Sequence, residues 1–457
     1  MSPMQLKKGE VIGLPIRRLG INGEGVGFYR KQVVFVDGAI PGEYVTTRIT
    51  EVQKKYARGE ILRLKKPSSH RVKPPCPIYQ QCGGCQLQHI DYPMQLRLKR
   101  ELVEEAFSRY AKQEMPTIRE TIGMEEPWTY RNKAQLPVRR QAGGVVMGMY
   151  TPGSHHLVDM KGCLVQHPET DRILDIVRQV LQDLSIPLYN EKKHRGAVRH
   201  LVVRVGIATK EAQLVLISRE DPLPKEDALV KELHRRLPGV SSFIVNHNPH
   251  RTSLVFGEKS RVLWGEEKIT EGLGKLTFRL SAPAFFQLNP SQTVRLYDTV
   301  LNVAGLSGRE TVVDAYCGAG TIGLWLAGHA ARVIGMDIVP EAITDARENA
   351  AMNRIDHAEY VLGAAEELLP RWADQGFRPD VVVADPPRTG LGEDFMDALL
   401  RAEVPRFVYV SCNPSTLAKD CNRLARGGYA IRSVQPVDMF PQTSQVESVT
   451  LLERKNQ

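Results

Sequence analysis

Between Val11 and Leu64 apolar residues alternate with polar ones in short runs separated by glycine turns: VIGLPIRRLG, GEGVGFYR, QVVFVDGAIPGEYVTTRI and GEILRL. Five short strands in so few residues predict a small closed barrel. The stretch KKPSSHRVKPP breaks the pattern with three prolines and reads as a linker. After a cysteine-rich loop, DYPMQLRLKRELVEEAFSRYA spaces its apolar residues as a helix does. From about 125 to 280 the pattern is mixed, with strands expected at HLVVRVGI and QLVLIS and a helix at DALVKELHRRL. Beyond Pro283 apolar strands (TVVDAYCGAG, ARVIGMDI, AEYVLG, DVVVADPP and RFVYVSCNP) alternate with helical stretches, which predicts a doubly wound parallel sheet. The reading is an α/β multidomain chain: a barrel over 1–64, a linker and α+β central domain over 65–280, and a Rossmann-like domain over 281–457.

Length and composition fit this division. At 457 residues the chain is long enough for two to four domains, and 42% hydrophobic with 25% charged residues is ordinary globular composition. No apolar run approaches the ~20 residues of a spanning helix, and MSPMQLKKGE is not followed by an apolar segment. A cytoplasmic protein without membrane association is expected. The net charge of +9 is concentrated at the front, where residues 1–75 carry fifteen Lys and Arg against six Asp and Glu. Eleven of those fifteen lie within 1–64, so the barrel carries just over half the surplus and Lys65, Lys66, Arg71 and Lys73 supply the rest. A basic appendage on a neutral body points to a polyanion such as nucleic acid.

The strand TVVD runs into AYCGAGTIGL, so an acidic residue, a glycine-rich turn and a helix follow one another. Glycines there let the backbone approach a ligand, and Asp314 can fix the turn or a ligand's amine. The order D-x-x-C-G-x-G, and Asp337 at the end of the next strand to receive ribose hydroxyls, favour S-adenosylmethionine over a nicotinamide cofactor. Cys317 within the turn reads as a small buried apolar residue. The strand ending in Asp385-Pro386-Pro387 supplies a rigid slot of the kind that suits a planar nitrogen heterocycle.

The next strand ends in Ser411-Cys412-Asn413-Pro414, which sets Cys412 beside the substrate crevice. The positive end of the helix that follows is expected to lower its pKa. With a uracil substrate such a cysteine has a defined task. Carbon 5 is a poor nucleophile, but thiolate addition at carbon 6 makes an enolate whose carbon 5 can attack a sulfonium methyl. A base must then remove the carbon-5 proton, and Glu447, where a last strand begins, is the candidate.

Cys76, Cys82 and Cys85 lie within ten residues and need a fourth ligand, for which Cys163 is the unused candidate. Zinc completed by His89 is the competing assignment. Cys421 is expected in the core.

Two resemblances bear on these motifs. G-x-G-V-G followed by VFVDGAIPGE resembles a TRAM domain, an OB-like RNA-binding module. FFQLN at 285–289, DAYCGAGTIGL at 314–324, DPPRTGL at 385–391, SCNPSTLAKD at 411–420 and VESV at 446–449 resemble the TrmA/RumA-type RNA uridine-5-methyltransferases. That resemblance implies cofactor contacts from Gln287, Tyr316, Asp337 and Asp385, beside Gly318 and Gly320 of the glycine-rich turn, with Cys412 as nucleophile and Glu447 as proton acceptor. It also implies a [4Fe-4S] cluster on Cys76, Cys82, Cys85 and Cys163 and action on 23S ribosomal RNA, since relatives that act on transfer RNA often lack the barrel and the cluster; a monomer is expected. Asp337 stands where many relatives have Glu, and Gln445 where many have His. An RNA cytosine-5-methyltransferase would commonly carry a second cysteine where this chain reads ADPPRTG, and a non-enzymatic RNA-binding assembly factor would have no use for the Cys412 and Glu447 pair.

Overall fold

In the computed structural model, which describes residues 6–111 and 115–455, the alternation at the front of the chain closes into a five-stranded barrel. Its strands are Val11–Leu19, Gly25–Tyr29, Gln32–Val36, Tyr44–Val52 and Tyr56–Lys66. They pair in the order first, second, third, fifth, fourth, and the fourth returns to the first. Alternate residues point inward, so Leu14, Ile16, Val34, Val36, Val45 and Ile49 fill the barrel. The last strand runs on to Lys66, so the basic stretch expected as linker begins within the barrel wall.

The helix Tyr92–Tyr110 starts at Asp91, whose carboxylate accepts the Met94 N–H, with Pro93 inside the first turn. Its buried residues Val103, Ala106 and Phe107 join one core with Leu417, Cys421 and Leu424 of the helix Pro414–Arg426. The two-residue strand Thr117–Ile118 then pairs with Tyr429–Val437. An early segment of the chain thus belongs to the layers built by its last third.

Between them stands a seven-stranded sheet in the spatial order Lys259–Gly265, Ser242–His247, Ala212–Ser218, Val198–Val205, Lys133–Gln141, Gly144–Tyr150 and Leu157–Asp159. The expected strands HLVVRVGI and QLVLIS are antiparallel neighbours in it. Helices Pro168–Asp183 and Glu226–Arg236 cover one face, sharing its core.

The final sheet has eight strands in the order Ala358–Leu362, Arg332–Asp337, Thr311–Ala315, Val381–Ala384, Arg406–Ser411, Glu447–Arg454, Tyr429–Val437 and Thr117–Ile118. Along each parallel strand alternate residues enter two different cores: Val313, Val382 and Phe407 on one face, Val312, Val383 and Val408 on the other. Helices cover both faces, as a doubly wound fold requires. The sheet is mixed and not wholly parallel as expected, because Glu447–Arg454 inserts antiparallel to both of its neighbours. No helix among the described residues is long and apolar enough to cross a membrane.

One ion pair ties the early helix to the turn before that inserted strand. Lys99 Nζ lies 2.5 Å from Asp438 Oδ1 with both side chains fully buried, and also donates to the Phe440 carbonyl at 3.1 Å. Lys99→Ala strands the Asp438 charge away from water and should cost about 3–5 kcal/mol of stability. Arg97→Ala, which breaks an exposed pair with Glu101 on the same helix, should cost under about 1 kcal/mol. Chemical denaturation of the two variants beside the parent checks the difference.

Candidate functional site

The parallel strands set the site by their register. Ala315 pairs with both Met336 and Ala384, so the residues that follow, Tyr316, Asp337 and Asp385, leave three adjacent strands at one level. This is the carboxyl edge of the sheet, where open α/β folds hold their ligands. Asp314 Oδ2 accepts the Gly323 N–H at 2.7 Å and thereby closes the glycine turn. Its Oδ1 is buried without a partner. Burial, reinforced by Asp385 and Asp337 against the Gly323 bond, pushes the Asp314 carboxyl up to about 7.

Asp337 accepts the Gly318 N–H on one oxygen and the Val339 N–H on the other, each at 2.9 Å. Gly318 is left-handed (φ 53°) with open space where a Cβ would stand, so a ligand can approach its backbone. Gly320 (φ 81°) has no such room, because a Cβ would lie 2.6 Å from the Tyr360 hydroxyl. Tyr316 is left-handed without being glycine (φ 62°), and its hydroxyl donates to Glu366 Oε1 at 2.5 Å. Gln287 is buried, and Asn132, just before the strand Lys133–Gln141, holds its carbonyl by a 3.2 Å bond. These residues fit a nucleoside with a charged amino-acid tail: an unpartnered carboxylate oxygen, an open glycine backbone and a second carboxylate converge on one edge.

Cys412 and Glu447 meet by register as well. Arg406–Ser411 pairs antiparallel with Glu447–Arg454, and Ser411 lies opposite Ser448. Carrying that register one residue further sets Cys412 opposite Glu447. The thiol is half-buried, and its pKa is pushed up to about 11, by burial first and then by the negative charges of Glu447 and Asp385, with Arg388 opposing them. The net shift is upward and not the lowering expected from the helix Pro414–Arg426, with desolvation its largest cause and both carboxylates adding to it. Asn413 already caps that helix by accepting the Ser415 N–H at 3.0 Å. Glu447 is buried, and its carboxyl is raised well above the usual range by burial and by Asp385, again against Arg388. Burial raises Asp385 likewise. Gln445 is exposed. Arg388 is the site residue that sequence reasoning passed over. Its signal was present, a lone cation directly after the rigid Asp-Pro-Pro turn.

The four cysteines singled out earlier are brought together. Cys76, Cys82, Cys85 and Cys163 line one cavity of about 90 Å³ with Tyr79 and Arg131. Cys85 is pushed up to about 12, by burial and by the other three thiols, with a bond from Gln88 opposing them. Among the described residues no three His, Cys, Asp or Glu side chains close tightly enough to hold a single metal ion. His89 turns its Nδ1 to the Tyr79 hydroxyl at 2.7 Å, and burial pushes it down to about 4. Cys317 and Cys421 are core residues, as expected.

Comparison with known proteins identifies the family and the front domain of the chain. The tRNA (Uracil-5-)-methyltransferase family profile matches residues 257–455 and the TRAM domain profile residues 5–62. An uncharacterized RNA methyltransferase of Halalkalibacterium halodurans is 51% identical over 98% of this chain and 97% of its own length. A second from Listeria innocua is 48% identical over the whole of both chains. Among solved structures, the Pyrococcus abyssi tRNA (uracil-54, C5)-methyltransferase in complex with S-adenosyl-L-homocysteine is 27% identical, with a TM-score of 0.77 over 96% of this chain and 100% of that one. The chain belongs to the S-adenosylmethionine-dependent RNA uracil-5-methyltransferase family and carries a TRAM domain at its front.

The electrostatics give a pH prediction. Alkylation of Cys412, followed by mass spectrometry of its peptide, should keep accelerating with pH toward about 11. Glu447→Gln removes a negative charge and should move that profile to lower pH, whereas Arg388→Ala removes a positive charge and should move it higher. Identical profiles in all three proteins would contradict the stated causes.

Proposed function

We propose that this chain methylates carbon 5 of a uridine in 23S ribosomal RNA through a covalent bond between Cys412 and carbon 6 of the base. The opposition of Cys412 and Glu447 across two antiparallel strands carries the reading. Cys412 Sγ adds to carbon 6, and the electron pair of the ring double bond moves into an enolate. Carbon 5 takes the sulfonium methyl and S-adenosylhomocysteine departs. Glu447 accepts the carbon-5 proton, the ring double bond re-forms, and the thiolate leaves. A carboxylate raised toward neutral pH is a stronger base than an exposed one, which suits this last step.

Gln287, Tyr316, Gly318, Gly320, Asp337 and Asp385 are the proposed holders of S-adenosylmethionine, which supplies the methyl group. Cys76, Cys82, Cys85 and Cys163 are the proposed holders of a [4Fe-4S] cluster, which would cross-link the cysteine loop to the Cys163 segment. What supports the cluster over zinc is that the four thiols line one cavity and His89 does not line it. Residues 1–64 serve as the RNA-binding barrel, 65–280 as the cluster-bearing part and 281–457 as the catalytic part.

Transfer RNA is the second reading, favoured by the full-length likeness to a tRNA (uracil-54, C5)-methyltransferase. Release of tritium from 5-tritiated uridine tests the chemistry and the substrate together. Ribosomal RNA should release it and transfer RNA should not, and Cys412→Ala should stop release while leaving cofactor binding near normal. Release from transfer RNA alone would overturn the substrate assignment, and release by Cys412→Ala would overturn the nucleophile.

Anaerobically purified protein should contain about four irons per chain. Stoichiometric zinc without iron would contradict the cluster.

A further inference from the structure

Glu447 does not stand at the end of a free hairpin. Residues 438–446 before it form a largely buried loop gripped from outside the catalytic sheet. At its centre Gln442 is buried and left-handed (φ 72°), a backbone state that a non-glycine residue keeps only where its surroundings hold it. Its carbonyl accepts the N–H groups of Gln86 at 3.0 Å and Leu87 at 2.9 Å, both next to Cys85 in the cysteine loop. Its own N–H donates to Gln95 Oε1 at 3.1 Å, and its Oε1 accepts from Gln95 Nε2 at 3.0 Å. Gln95 is itself buried and also donates to the Leu87 and Ile90 carbonyls at 3.1 and 2.8 Å. On either side, the Tyr130 hydroxyl donates to the Pro441 carbonyl at 2.9 Å, and the Ser444 hydroxyl donates to the Ile21 carbonyl of the barrel, also at 2.9 Å.

The methyl-donor edge is built differently. Its two glycine-turn bonds, Asp314 to Gly323 and Asp337 to Gly318, lie within that edge, the one outside bond described there being Asn132 to the Gln287 carbonyl, and Cys412 follows a strand in the middle of the sheet. Of the groups assigned to the reaction, Glu447 alone follows this borrowed loop.

We propose that Gln442 and Gln95 are positioning residues for Glu447: their reciprocal amide pair, seated on the cysteine loop, sets the carboxylate where it can take the carbon-5 proton. The proposal rests on the reading of Glu447 as the base. A base must lie within hydrogen-bond reach of the proton it removes, and a displacement of about 1 Å is enough to cost a large factor in rate. Loosening the pair therefore acts on proton removal and spares methyl transfer and cofactor binding.

The test compares Gln442→Ala and Gln95→Ala with the parent and with Glu447→Gln in a single turnover, with enzyme in excess over RNA, measuring methyl incorporation into RNA, carbon-5 tritium release and the covalent protein–RNA species on denaturing gels. In the two alanine variants tritium release should fall about ten-fold behind methyl incorporation, with covalent species accumulating and the cofactor dissociation constant changed less than about two-fold. Adding Gln442→Ala to Glu447→Gln should slow nothing further, because the base it would position is already gone. Gln442→Asn keeps an amide and a residue that tolerates the left-handed state, and should recover part of the release rate. It also carries the test if the alanine variants fail to fold. Methyl incorporation and tritium release falling in parallel, or an equal extra loss in the double variant, would show a merely structural role and overturn the proposal. Trapping by Glu447→Gln with parent-like release in all the Gln442 and Gln95 variants would overturn the positioning role alone, whereas no trapping by Glu447→Gln would overturn the base and the positioning role together.

Discussion

The fold hangs together at the turn between Tyr429–Val437 and Glu447–Arg454. Lys99 enters it from the early helix and pairs with Asp438 in full burial, while Gln95, Gln86, Leu87, Tyr130 and Ile21 bond to residues 441–444. A buried loop has to satisfy its backbone somewhere, and this one has too few partners of its own. The helix before the seven-stranded sheet, the cysteine loop and the barrel supply many of them, and Asn289 and Gln292 hold the Met439 and Asp438 carbonyls. Bonds that complete the backbone of this turn therefore also lock the parts of the chain to one another.

The second constraint is charge. Asp314, Asp337, Asp385 and Glu447 converge on the carboxyl edge of one sheet, and burial makes each of Asp314, Asp385 and Glu447 harder to ionise than an ordinary carboxyl. The cost is concentrated where a cationic methyl donor and a proton abstraction would use it. Arg388 moderates the same field from the loop after Asp385. The raised thiol of Cys412 follows from this acidic setting and from burial, not from any defect in the helix that follows it.

Local pattern made much of this legible. The barrel could be read because inward and outward residues largely alternate between glycine turns, and the parallel strands because each is an apolar run at or just before a chemically marked residue: Asp337, Asp385 or Cys412. What escaped depends on distant partners. Thr117–Ile118 is too short to show a period and becomes a strand only against Ser433 and Val434. The helix Tyr92–Tyr110 was visible, but its docking on Pro414–Arg426 was not. Lys99 and Gln95 look like solvated polar residues in a helix until Asp438 and Gln442 bury them. Glu447 was found from its place at the start of a strand. Its burial and the antiparallel insertion that brings it opposite Cys412 required the sheet.

The most direct test of the covalent account is to locate the bond itself. Glu447→Gln protein incubated with RNA and S-adenosylmethionine, then digested with nuclease and protease, should give one cross-linked peptide, containing Cys412 joined to a uridine that already carries the new methyl group. A cross-link at another residue, or full turnover of Glu447→Gln with no cross-link, would contradict it.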